Sequence, residues 1–161
     1  MTKQLLSVKR GRKTDRSFPV STSKYGVGSE EGSFKTPTGR FRVAEKLGAG
    51  QPVDVAYNSR VPVRPSAEML RGADLVMSRI LWLDGLQGEN ANTYERYIYI
   101  HGTNHEELIG QQASHGCIRM KNKDVADLFE FVDVGTLVVI APPRLVRRGG
   151  KKREKSVARR K

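Results

Sequence analysis

Apolar residues in this chain come in short runs broken by glycine, proline and asparagine, and the readable runs mostly have a period of two. Phe18-Pro-Val-Ser-Thr is a short extended run, and Arg40-Phe-Arg-Val-Ala alternates polar and apolar positions as a half-buried strand does. Ser78–Leu83 and Tyr94–His101 are predicted as the two best strands, separated by residues 84–93, which are rich in Gly and Asn. In the second strand Ile98 and Ile100 share the face that belongs in the core, so Tyr97, Tyr99 and His101 share the opposite one. The period lengthens once. Val125, Leu128, Phe129 and Val132 recur at i, i+3, i+4 and i+7, which predicts a helix near 122–132 with Asn122 as N-cap and Asp124 in its first turn. Thr136–Ala141 is expected to return as a buried strand before Pro142 and Pro143 stop the sheet. Residues 47–75 predict a long irregular excursion with a short strand at Val53–Tyr57. The fold class that follows is mainly β, a curled β-sandwich or open barrel with one main helix.

At 161 residues the chain fits one domain. Its net charge of +12 suggests a nucleic-acid partner only until the charge is divided along the chain. Residues 1–16 hold six Lys/Arg against one Asp, and residues 144–161 hold ten against one Glu. The body between them has thirteen basic and fifteen acidic residues, so the excess sits at the ends. The expected organisation is a basic N-terminal segment at 1–16 with a possible first strand, a folded domain at 17–143, and a basic tail at 144–161. That tail is almost free of apolar residues, is expected to be disordered, and could touch anionic surfaces electrostatically. The first residues lack the long apolar region and cleavage site of a secretory signal, and the longest apolar run, 136–143, is too short for a bilayer. As written, the expectation is a cytoplasmic protein, or a periplasmic or cell-envelope one if the natural N-terminus lies upstream.

The chemistry is concentrated in HGTNHEELIGQQASHGCIRM, residues 101–120, which hold all three histidines and the single cysteine. One cysteine excludes an internal disulfide. A metal site is one reading, but structural zinc usually shows paired ligands such as Cys-x2-Cys, and no second cysteine exists. A buried, inert cysteine is another, although Ser-His-Gly-Cys is a polar, turn-forming setting rather than an apolar one. The third is a thiolate nucleophile with an imidazole base. His115 stands two residues before Cys117, and His101 could meet it across neighbouring strands joined by residues 102–113. Gly116 would let the backbone approach a substrate, with the Gly116 and Cys117 amides converging on a developing oxyanion. His105, in a polar loop, needs no special role.

His101-Gly102 followed by Ser114-His115-Gly116-Cys117-Ile118-Arg119 resembles the signature of the L,D-transpeptidase (YkuD) family of bacterial peptidoglycan enzymes. The likeness extends to PVSTSKYGVGSEEGSFKTPTGRFRV, SRILWLDGL, YERYIYIHGTN and VGTLVVI in family order, and covers roughly residues 17–141. It implies the family's β-sandwich-like domain, with Cys117 as nucleophile, His101 as its base and the Gly102 carbonyl orienting His101. It further implies Gly116 and Cys117 amides as the oxyanion hole, with Ser114 and His115 lining and steadying the site. Arg119 would contact a substrate carboxylate or position the loop; a structural ion pair with an acidic neighbour is the other reading. Tyr99 would line the groove or simply pack.

The implied partners are muropeptide tetrapeptide stems, cleaved between diaminopimelate and terminal D-Ala through a thioester. A second stem's amine as acceptor gives a 3→3 crosslink; water gives a tripeptide, the L,D-carboxypeptidase reaction. No metal or organic cofactor is implied. A basic nucleic-acid-binding module is the competing class, and neither charged end contains the aromatic residues such a surface interleaves.

Overall fold

The computed structural model describes residues 3–142, so the tail at 144–161 lies outside them. Strands β1 (Leu5–Arg10) and β2 (Lys13–Pro19) form an antiparallel hairpin turned at Gly11, whose φ is +59°. Leu6 and Val8 pack against the core beside Phe18. The hairpin is therefore joined to the main body, and β2 runs straight through the boundary expected at residue 16.

The spine of the molecule is β6 (Val76–Gly85). It pairs antiparallel with β4 (Ala56–Asn58) at Val76–Met77, with β3 (Gly39–Leu47) from Ile80 to Gly85, and with β7 (Tyr99–Gly102) from Met77 to Trp82. A register shift between Met77 and Ile80, with Ser78 at φ +64°, bends the strand between its partners. β5 (Val61–Val63) extends the sheet beyond β4, and β9 (Leu137–Ile140) extends it beyond β3. β8 (Ile118–Met120) adds to β7 in parallel. The sheet stays open.

Both faces of β6 are buried, for different reasons. Leu81 and Leu83 join Phe41, Val43, Ile100, Ile118 and Met120 under α2 (Asn122–Phe131), whose Val125, Leu128 and Phe129 complete the main core. Ile80 and Trp82 point the other way and gather Tyr99, with Tyr57, Tyr94 and Cys117 packed around them. This is the mainly β architecture with one main helix that the pattern predicts.

Four local expectations change. Residues 94–97 form a turn rather than strand, with Tyr97 at φ +55°, and the strand begins at Tyr99. The buried strand expected at 136–141 is the edge strand β9, where Leu137 and Val139 are 53% and 64% exposed. The excursion at 47–75 contains the β4–β5 hairpin and a short helix, α1 (Ala67–Arg71), capped by Ser66. The helix cap is Lys121, not Asn122. The Glu106 carboxylate accepts the Asn122 N–H at 2.7 Å, while the Asn122 side chain turns to donate to the Thr103 carbonyl at 3.0 Å.

Candidate active site

The parallel register of β7 and β8 sets Ile100 beside Ile118 and His101 beside Arg119. With the isoleucines in the core, the alternate positions Tyr99, His101 and Arg119 emerge on the opposite face. Cys117, one residue before β8, packs against the Ile80–Trp82–Tyr99 cluster on that face. His101 and Cys117 are thus diagonal neighbours on adjoining segments.

Cys117 Sγ accepts the Tyr99 N–H and donates to the Tyr97 carbonyl, each at 3.4 Å. Burial pushes the thiol pKa up to about 11. His101 is 3% exposed, and burial lowers its pKa, so the imidazole is neutral near pH 7. Its Nδ1 lies 2.5 Å from the Gly102 carbonyl. A carbonyl can only accept, so Nδ1 carries the proton and Nε2 keeps a free lone pair. Burial thus favours the neutral thiol and the neutral imidazole. A side chain at Gly102 would collide with Asn122 and sit 2.8 Å from the Met77 carbonyl, so this orienting position accepts only glycine.

The loop before Cys117 is braced from within. Ser114 Oγ donates to the Cys117 carbonyl at 2.6 Å and accepts the Gly116 N–H at 3.3 Å. Thr36 Oγ1 donates to the Gly116 carbonyl at 2.9 Å and itself accepts the Ser23 N–H at 3.0 Å. Gly116 has φ +124°, a conformation that L side chains rarely adopt. Of the two amides expected to face an oxyanion, Gly116's is engaged by Ser114, and Cys117's makes no hydrogen bond among the described residues. His115 is exposed, its ring 5.8 Å from Tyr25 and 6.2 Å from Phe34 between centroids.

Arg119 is 2% exposed. Its Nη1 pairs with Asp74 at 2.8 Å and its Nη2 donates to Ser21 Oγ at 3.2 Å. Asp74 also accepts from Thr103 Oγ1 at 2.8 Å, so one carboxylate ties the segment before β6 to both site strands. The ion-pair reading of Arg119 is therefore the geometry present. Tyr99, 7% exposed, both packs on Trp82 and lines a cavity of about 390 Å³ with Tyr57, Arg60, Val76, Ile80 and Tyr97. His105 lies apart, against Glu107 and the Gly72 carbonyl at 3.3 Å each. Among the described residues no three His, Cys, Asp or Glu side chains converge as metal ligands.

The sequence reading did not find Asp74, Thr36 or Arg60. Asp74 and Arg60 stand in segments with no readable period, and Thr36-Pro-Thr-Gly reads only as a turn.

Fold and site together define a small open-sheet domain that carries a cysteine and a tautomer-fixed histidine on one face of adjoining segments. The L,D-transpeptidase catalytic domain family (YkuD) matches residues 1–140, and the chain belongs to that family. The Escherichia coli protein YbiS, designated a probable L,D-transpeptidase, is 36% identical over 120 residues, which are 74% of this chain and 32% of that protein. The Bacillus subtilis protein YqjB, also designated an L,D-transpeptidase, is 50% identical over 54 residues, 33% of this chain and 31% of YqjB. This chain thus spans about a third of the length of these curated relatives. An L,D-transpeptidase structure from Mycobacterium smegmatis shares the fold, with a TM-score of 0.55 at 17% identity over 86% of this chain and 54% of that one.

Proposed function

We propose that the domain transfers acyl groups on peptidoglycan stem peptides through Cys117. Sγ attacks the carbonyl that joins diaminopimelate to the terminal D-Ala of a tetrapeptide stem. Because the resting thiol is neutral, its proton leaves as the carbon–sulfur bond forms, and His101 Nε2 receives it. The same nitrogen then delivers that proton to the departing D-Ala amine. The Cys117 N–H donates to the oxyanion in between. The resulting thioester is taken by the amine of a second stem, giving a 3→3 crosslink.

The observation that carries this reading is the His101 Nδ1–H bond to the Gly102 carbonyl, which leaves a basic Nε2 on the face that Cys117 shares. The test is product analysis by mass spectrometry after incubation with disaccharide-tetrapeptide. A crosslinked dimer with release of D-Ala is the expected product. Tripeptide alone would make water the acceptor and the enzyme an L,D-carboxypeptidase. No cysteine-dependent change would overturn the substrate assignment.

A further inference from the structure

We infer that Arg60 binds a carboxylate of the donor stem and so selects which stems enter the groove; the inference rests on the function proposed above. Arg60 and Ser59 form the two-residue turn between β4 and β5, with φ of +69° and +48°. This left-handed backbone is the province of Gly and Asn, and it disfavours a long side chain such as arginine. Local turn chemistry therefore does not account for an arginine here. Its side chain is exposed, yet it is laid over the aromatic rings rather than extended away from them. The guanidinium carbon lies 5.0 Å from the Trp82 ring centroid and 5.5 Å from that of Tyr97.

That aromatic floor is itself fixed. Trp82 stacks on Tyr94 with centroids 4.1 Å apart and meets Tyr99 edge-on at 5.3 Å. Arg60, Tyr97 and Tyr99 line the same cavity, and the backbones of those two tyrosines hold Cys117 Sγ. A positive charge is thus mounted on the wall that presents the thiol. Among the described residues no carboxylate lies within ion-pair distance of Arg60, and the cavity lining contains no Asp or Glu. Glu45, the acid bordering the aromatic cluster, is engaged by the Tyr94 hydroxyl. The Tyr99 and Tyr97 hydroxyls engage part of the guanidinium and hold it in place, and the rest of its five N–H donors match a carboxylate in a two-point pair. The reacting end of a tetrapeptide stem offers two such groups, one on its terminal D-Ala and one on the diaminopimelate side chain.

The test compares wild type, Arg60→Asn and Arg60→Lys on three stems: the free acid, the D-Ala amide and the diaminopimelate amide. Asparagine suits the positive φ, so Arg60→Asn keeps the wild-type Tm. Its KM for the free acid rises about tenfold or more while kcat changes little. Arg60→Lys recovers part of the loss. In wild type, amidating the recognised carboxylate raises KM by a similar factor, and in Arg60→Asn it does nothing further. The amide that behaves this way identifies the carboxylate. Equal acid-to-amide ratios in wild type and Arg60→Asn would overturn the inference.

Calorimetric binding of the same stems to Cys117→Ala, with and without Arg60→Asn, separates the two readings. An Arg60-dependent preference for the acid, in a protein whose wild type releases no D-Ala, would keep the carboxylate site and discard the reaction. Turnover with no Arg60-dependent preference would do the reverse. Absence of both would discard both.

Discussion

On one face of β7, β8 and the residue before β7, Ile98, Ile100, Ile118 and Met120 lie 5% exposed or less against α2. On the other face, at alternate positions, stand Tyr99, His101, Cys117 and Arg119. The first face is held by apolar burial, which is non-directional and tolerates any side chain of similar volume. The second buries an imidazole and a guanidinium, each of which needs one particular partner. His101 has the Gly102 carbonyl; Arg119 has Asp74 and Ser21, and its Nε finds no partner among the described residues. His101 and Arg119 are as buried as the isoleucines and Cys117 is half-buried, yet one face is held by apolar contact while the other fixes polar side chains in particular orientations.

The widest separation between the faces should appear on replacing His101. Loss of a general base costs about a hundred- to ten-thousand-fold in rate, so His101→Gln should lose nearly all turnover in a kcat measurement while its Tm stays close to wild type. Arg119→Met tests the same face for stability. Removing one partner of a buried ion pair costs about 3–5 kcal/mol, read by denaturant unfolding. The matched replacement of Arg119 and Asp74 together should recover much of that. On the apolar face, Ile100→Ala should cost about 2–5 kcal/mol, yet the molecules that remain folded should turn over normally.

Titration gives a finer contrast. The unfolded chain protonates His101 once pH falls below 6.5, whereas the folded protein, with that pKa lowered by burial, resists the proton. Stability is therefore present above that point and lost as pH drops through it. Cys117 acts at the other end. The unfolded thiol ionises near 9.0 and the folded one near 11, so stability is present below 9.0 and lost as pH rises across that window. Unfolding curves at stepped pH should show the acid loss reduced in His101→Gln and the alkaline loss reduced in Cys117→Ala. The smallest effect belongs to His105, which touches neither face. His105→Ala should leave turnover within about twofold and stability within about 0.5 kcal/mol.

The same contrast explains what the sequence made legible. The period of two placed Ile98 and Ile100 in the core, and the i, i+3, i+4, i+7 stripe placed α2, because both depend on apolar spacing alone. The grouping of His101 and Cys117 was legible because their strands are neighbours and the chemistry is rare. Asp74 was not, since its partner Arg119 lies forty-five positions away and a lone acid in Arg-Gly-Ala-Asp carries no local signal. The β4–β5 turn was missed for a related reason: Ser59-Arg60 takes positive φ without the Asn-Gly or Asp-Gly that announces such a turn. The protonation states were hidden too. Burial, not sequence neighbourhood, keeps the thiol protonated and the imidazole neutral.

The most direct test of the polar face as a reaction centre is the intact mass of the protein, quenched in acid seconds after mixing with disaccharide-tetrapeptide. The expected result is an adduct equal to the stem minus D-Ala, mapped to Cys117 and absent from Cys117→Ala. D-Ala release that persists undiminished in Cys117→Ala would contradict it.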